Sequence, residues 1–456
     1  MKRSTLALAF GAFGGLVQPY AGAVGFIEDS TASLGLRNFY INTDYRNGRA
    51  APGKQNEWGQ GFSLNYASGF TDGKVGFGVD ALGLLGVRLD GGGKAGKAGI
   101  DRQPGSLFPL QGDGSAVDEF SSLGLTAKAK WRRTELRYGT LLPKLPVVVY
   151  NDARLVPMTY QGGQVTSSDI KDLTLTAGLL AHTRGRNSTD WRALSIAGAN
   201  GSSTTARDSN HFYFAGGDYK AGKNLLLEYY YGELTDFYRQ HFIGLVHNLP
   251  AGPGTFKSDL RVFLSDAAGK NASAAGRMDN YRSSGYYGNS MTKGEVDNSV
   301  YSAMFTYSLA GHSLGAGYQV LTGSSDYPYL NRGDGEGTST YLVTDAQLVK
   351  FNHAGERTWL GRYTYNFAAA GITGLTFSVL YLNADDIKTP SADRGEWERD
   401  IAVSYVAPTG TFKGLGLTWK NATLRSGLPA ASTPGYATQR DQDENRLIVS
   451  YALALF

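Results

Sequence analysis

Cysteine is absent from all 456 residues, and methionine (5), proline (14) and histidine (6) are scarce. Without cysteine there is no disulfide and no thiolate metal centre. The histidines (His182, His211, His241, His247, His312 and His353) fall in no H-E-x-x-H or Cys/His spacing, which argues against a zinc site. Long apolar runs are missing too. Past the first two dozen residues no stretch reaches the roughly 18 apolar residues that a membrane-spanning helix needs. Asp385-Asp386 reads as a turn at a strand end rather than an acid–base pair. The run Gly91–Ala98 comes near a phosphate-binding loop. It fails because Ala98 stands where Ser or Thr must hold Mg²⁺, and no helical pattern follows. Neither sign of charge dominates: 44 basic against 40 acidic residues leave +4, too little for a nucleic-acid surface. No catalytic residue, metal ligand set or cofactor can therefore be named, and no enzyme is expected.

What the chain does have is glycine (61), tyrosine (28) and phenylalanine (21), set in strict alternation. Between Leu123 and Arg132, Leu123, Leu125, Ala127, Ala129 and Trp131 share one face, while Thr126, Lys128, Lys130 and Arg132 share the other. The same period-2 pattern recurs to the C-terminus. Eighteen strand-like runs can be marked, from 32–45 to 443–455, the weakest being 159–168, where Gly162-Gly163 interrupts the pattern. Most reach the ~9–11 residues that a tilted strand needs to cross a bilayer. The joins near 132, 311 and 373 are tight. Those at 90–120, 186–208, 268–295, 326–356 and 428–442 are long and rich in Gly, Ser, Asp and Asn. A soluble β-sandwich has no reason to separate short turns from long loops, whereas a transmembrane antiparallel barrel does. The expected fold is therefore all-β, a barrel of about 18 strands.

Residues 1–23 form a secretory leader: Lys2 and Arg3 precede an apolar run from Leu6 to Val17, and Ala21-Gly22-Ala23 supplies the cleavage pattern. Its removal lowers the formal charge by two. Residues 24–456 are then a single barrel domain, exported to the outer membrane of a Gram-negative cell, with lipid around it. The last strand ends in the aromatic Phe456, the kind of signal that barrel-assembly machinery reads.

If the apolar faces meet lipid, the opposite faces line a pore. Lys128, Lys130, Arg132, Arg137, Arg362 and Lys420 take the inward parity of their strands. Arg37 does so as well, although Phe39 and Ile41 share its face. Arg425 has the other parity and needs a bulge or a place above the rim. A charge on the lipid face at mid-bilayer costs roughly 2–4 kcal/mol, which favours inward placement independently. The expectation is a ladder of cations drawing anions through a constriction.

At these residues the chain resembles a known family. FIEDS (Phe26–Ser30), LGLRNFY (Leu34–Tyr40), VGFGVDALGLLGVRLD (Val75–Asp90), TELRYGTLLPKLPV, DFYRQHFIGLVHNLP (Asp236–Pro250), GLTF (Gly374–Phe377) and ENRLIVSYAL are similar to segments of the OprD family of substrate-specific outer-membrane channels. The resemblance implies an eighteen-stranded barrel, monomeric or weakly trimeric, narrowed by infolded loops. It makes Asn151–Ser168, with Asp152, Arg154 and Tyr160, the constriction loop. A second infolded segment, Ser324–Tyr341, contributes Asp326, Tyr327 and Tyr329, with Asp326 on the acidic side facing the basic ladder. Thr43 departs from the family, whose members often carry Arg there. The resemblance implies passive uptake of small solutes, with cyclic or aromatic carboxylates favoured. Basic amino acids and small peptides are the alternative within the family; a barrel enzyme or a structural porin is the alternative outside it.

Overall fold

The structure, a computed structural model, describes residues 25–47, 53–97, 100–197, 207–285, 294–332, 338–389, 392–429 and 439–456. The leader assigned to residues 1–23 lies outside them. Eighteen strands make the wall. The first six are β1 (Thr31–Tyr45), β2 (Lys54–Ala67), β3 (Gly76–Asp90), β4 (Glu119–Trp131), β5 (Thr134–Leu141) and β6 (Thr159–Ser167). Next come β7 (Leu173–Arg184), β8 (Phe212–Ala221), β9 (Leu225–Leu234), β10 (Tyr238–Ala251), β11 (Gly254–Ala267) and β12 (Asp297–Leu309). The last six are β13 (His312–Gly323), β14 (Arg357–Asn366), β15 (Leu375–Ile387), β16 (Arg394–Val406), β17 (Gly416–Ser426) and β18 (Gln442–Ala454). Each pairs antiparallel with its neighbours in sequence, and β18 pairs back onto β1 from Ser33↔Ala454 to Tyr45↔Gln442. Closure leaves no free edge, as hydrocarbon demands, because every wall amide then has a partner. The interrupted run at 159–168 is indeed a strand, with a register shift at Gln161/Gly162.

Short turns gather at one rim, together with the first and last described residues. The turn between β12 and β13 is two residues long, Ala310 and Gly311 with φ of 48° and 85°. This doubly left-handed turn matches the twist of a hairpin and suits glycine at its second position. The described residues of the longer loops, 91–118, 142–158, 185–211, 268–296 and 324–356, lie on the side of the opposite rim. Short turns mark the periplasmic end and long loops the extracellular end.

Outward side chains are apolar and bare. Leu123, Tyr138 and Trp359 are more than 60 % exposed, as expected of atoms that meet lipid rather than water. Buried apolar residues instead form three clusters inside the barrel, where strand residues on the lumen side meet the infolded loops. Phe39 and Ile41, which blurred the alternation of β1, belong to one of these. They face inward and pack with Leu107, Phe108, Leu155 and Val156.

Candidate functional site

The lumen is narrowed first by the loop between β5 and β6. Its infolded part is 142–158 rather than 151–168, because residues 159–167 pair into the wall. A small hairpin, Lys144–Leu145 with Val148–Val149, stiffens its start. Two apolar anchors hold it: Val147, Val148, Tyr150 and Met158 in the largest cluster, Leu155 and Val156 in the Phe39 cluster. Each fully buried Leu or Val is worth about 1.5–3 kcal/mol. The wall makes room with inward glycines on β2. A Cβ on Gly59 would lie 2.6 Å from the Phe108 ring, and one on Gly61 would lie 2.7 Å from the Leu155 carbonyl oxygen. A charged clamp completes the attachment. The Arg37 guanidinium donates to both carboxylate oxygens of Asp152, at 2.7 and 3.1 Å, and to the Arg154 carbonyl at 2.7 Å. Tyr160 is fully buried in the largest cluster at the start of β6.

The second infolded loop, 324–356, is held by the same means. Tyr327 packs edge-on against Phe263 at 5.2 Å and donates to Gln240 Oε1 at 3.4 Å. Tyr329 is only partly buried, with the Lys350 ammonium 5.6 Å from its ring. Wall carboxylates grip loop amides. Glu398 accepts from the Leu348 and Val349 amides at 2.8 and 3.0 Å, and Asp400 from Gln347 at 3.0 Å. Glu57 does likewise for Ser106 and Leu107 in the 91–118 loop. A carboxylate accepting from amides makes a strong, charge-assisted bond. Asp326 is an anchor of this kind, which corrects its placing on the acidic side of the pore. Its carboxylate is buried, accepts from the Ala354 amide at 2.9 Å and meets His353 Nδ1 at 3.4 Å. Burial opposes the imidazolium, but the Asp326 carboxylate prevails and pushes the His353 pKa up to about 10. Burial alone would raise Asp326; His353 and the Ala354 amide hold it below its ordinary value instead.

The ladder residues divide. Lys128 is buried, paired with Asp80 at 2.6 Å and donating to the Ser68 carbonyl at 2.7 Å. Lys130 lies over the Phe70 ring at 5.3 Å, and Arg137 pairs with Glu135 at 2.5 Å and Asp80 at 3.7 Å. These three line the periplasmic half. Arg362 and Lys420 lie on lumen-facing positions of β14 and β17. One placement is corrected, and Arg425 stands at the rim rather than in the ladder. Arg132 is past the end of β4, in the turn, with φ of 53° and its guanidinium over Trp131; the alternation cannot extend into a residue that has left the sheet. Arg425 follows Leu424, an inward residue, and so faces out at the extracellular rim, paired with Asp443 at 2.9 Å.

The expected ladder omitted the strongest part of the site. Arg446 stands directly across from Lys420 on the lumen side, and it contacts Glu444 at 2.5 Å. Glu444 also accepts from Thr43 at 2.9 Å and from the Gln347 amide group at 3.1 Å. Arg154 projects here from the first loop, held by Ser106 Oγ at 2.8 Å; its electrostatic neighbours are Arg446, Glu444 and Glu57. Burial, with Arg446 adding repulsion, pushes its pKa down to about 10, which leaves it cationic at neutral pH. Arg186, from the 185–211 loop, shares the field of Arg154 and Arg446. Four cations thus share the field of Glu444, with Glu57, Asp152 and Asp400 as further carboxylates near them. Arg446 was readable, since it lies opposite the Leu447–Val449 face of β18; Arg186, in an irregular loop, carried no periodic signal. Among the described residues no group of His, Asp and Glu is placed to hold a metal ion.

Comparisons with known proteins agree with this architecture. Residues 24–455 match the family model described as outer membrane porin, OprD family. The porin-like protein GalP of Pseudomonas putida is 35 % identical over 95 % of this chain and 94 % of its own length. The crystal structure of Pseudomonas aeruginosa OccK8 (OprE) superposes with a TM-score of 0.86 at 62 % identity, covering 95 % of this chain and all of that one. That of Pseudomonas aeruginosa OpdK with vanillate gives 0.78 at 30 % identity, over 94 % of this chain and all of the other.

Proposed function

Because the chain belongs to the OprD family of substrate-specific outer-membrane porins, we propose that its pore selects small organic anions, cyclic and aromatic carboxylates in particular. The observation that carries this reading is the convergence of Arg154, Arg186, Lys420 and Arg446 near Glu444. Asp400, on the same wall, spends its charge on the Gln347 amide and Asp326 on His353. The constriction therefore presents excess positive charge where loops exclude bulk water, and there a fixed charge acts most strongly. Planar guanidinium groups can hold a carboxylate through two parallel hydrogen bonds and release it to the next cation below. Arg362 lies lower on the wall, with Lys128, Arg137 and Lys130 toward the periplasm. Vanillate, the ligand named for the OpdK structure, is an aromatic carboxylate and fits the same chemistry. Movement is down a concentration gradient.

The test is solute flux into liposomes carrying the purified protein, with benzoate and arginine at matched concentration. Faster benzoate entry is expected, and the K420Q variant should lose much of the difference. Faster arginine entry would transfer selectivity to the acidic groups and overturn the carboxylate reading.

A further inference from the structure

The lipid-facing surface is not smooth. On the outside of β7, β8 and β9, small residues floor a cavity of about 630 Å³. Ala177 faces Ala215 across the ladder, and Gly217 faces Leu175. Leu227 and Tyr219, opposite one another, rise beside them. The lining on this side is almost wholly hydrocarbon, and it lies within a few residues of the periplasmic ends of the three strands. An apolar hollow of this size in a membrane cannot be filled by ordered water, which needs polar partners. Left empty it would forfeit dispersion contacts along its whole lining.

The rim below the cavity is basic. The turns at 168–172 and 222–224, which join β6 to β7 and β8 to β9, carry Lys171 and Lys223, both exposed. Of the carboxylates there, Asp169 accepts from the Arg133 amide and the Thr134 hydroxyl. Asp172 is left against two lysines, Lys171 and Lys223. We propose that this cavity binds an acyl chain of an anionic phospholipid from the periplasmic leaflet, its phosphate met by Lys171 and Lys223. The site is separate from the pore: Leu175, Ala177, Ala215, Tyr219, Leu227 and Tyr229 take the outward parity of their strands.

Native mass spectrometry of the whole protein, released from bilayers of phosphatidylglycerol and phosphatidylcholine, tests this. The wild type should retain phosphatidylglycerol preferentially. Ala215→Phe, which fills the hollow from an exposed position, should abolish retention while single-channel conductance stays unchanged. Lys171→Gln with Lys223→Gln should keep a bound lipid but lose about tenfold in headgroup preference. Undiminished phosphatidylglycerol on the Ala215→Phe protein would overturn the proposal. So would loss of an oligomer in that variant without loss of lipid, since a second copy of the chain would then be the occupant.

Discussion

At the scale of single residues, charges in the lumen do two different jobs, and neighbours decide which. Arg37 and Lys128 are each bound to a carboxylate and a backbone carbonyl; they hold loops and turns in place. Lys420 carries no such bidentate partner and stands beside Arg446. Replacing Lys420 by Gln should reduce anion over cation permeability severalfold, because a unit charge at contact distance is worth about 1–3 kcal/mol in a partly solvated site. Arg446→Gln should do more, since it also leaves Glu444 without its nearest cation and turns that carboxylate against passing anions. Reversal potentials under a salt gradient measure both. Equal effects from the two substitutions would show that Glu444 does not reach the path.

The Asp326–His353 pair gives a pH signature at the same scale. The His353 pKa is raised, so its contribution is complete below the ordinary value of 6.5 and is lost as pH climbs through about 10. The Asp326 pKa is lowered, so its contribution is present above the ordinary 3.8 and fades in stronger acid. The second loop should be held most firmly between those ordinary values and should loosen in strong alkali. Hydrogen exchange at the amides of 343–356 reads this directly. His353→Gln should exchange rapidly at pH 6 and lose the alkaline transition, because removing one partner of a buried pair costs about 3–5 kcal/mol.

At the scale of elements, the wall was legible and the plugs were not. Outward faces such as Leu123–Trp131 and Tyr301–Leu309 announce themselves by period alone, because lipid accepts only apolar side chains there. Inward faces obey no such rule. Phe39 and Ile41 looked like noise, yet they are the seat of Leu155, more than a hundred residues away in sequence. Asp326 looked like a pore acid because its partner, His353, lies across a loop that no local pattern describes. Arg446 was visible by parity and lies within the ENRLIVSYAL segment that carries the resemblance. Gly61 carries a prediction of its own. Gly61→Val puts side-chain carbon where the Leu155 carbonyl sits, so the first loop must move off the wall while β2 stays paired. Single-channel conductance should rise and substrate preference should fall. The folded barrel, seen by its heat-modified electrophoretic mobility, should persist.

At the scale of the whole molecule, the near balance of charge along the chain hides an uneven field. On the proposed reading, cations gather at the constriction while acids such as Glu398 and Asp400 clamp loop amides, so a porin of modest net charge is positive where it is narrow. Such a field acts over about 10 Å in 0.1 M salt and about 3 Å in 1 M. Anion selectivity should therefore decline steeply over that range. Selectivity that survived 1 M salt unchanged would indicate contact recognition rather than a field.

The pairing of β1 with β18 extends from Ser33 to Tyr45 and makes the sheet a ring. A molecule pulled mechanically by its C-terminus cannot peel from an edge. It must first rip that seam open along its length, the hardest event on the trace; afterwards strands leave two at a time, as hairpins, each through a lighter and nearly uniform rupture.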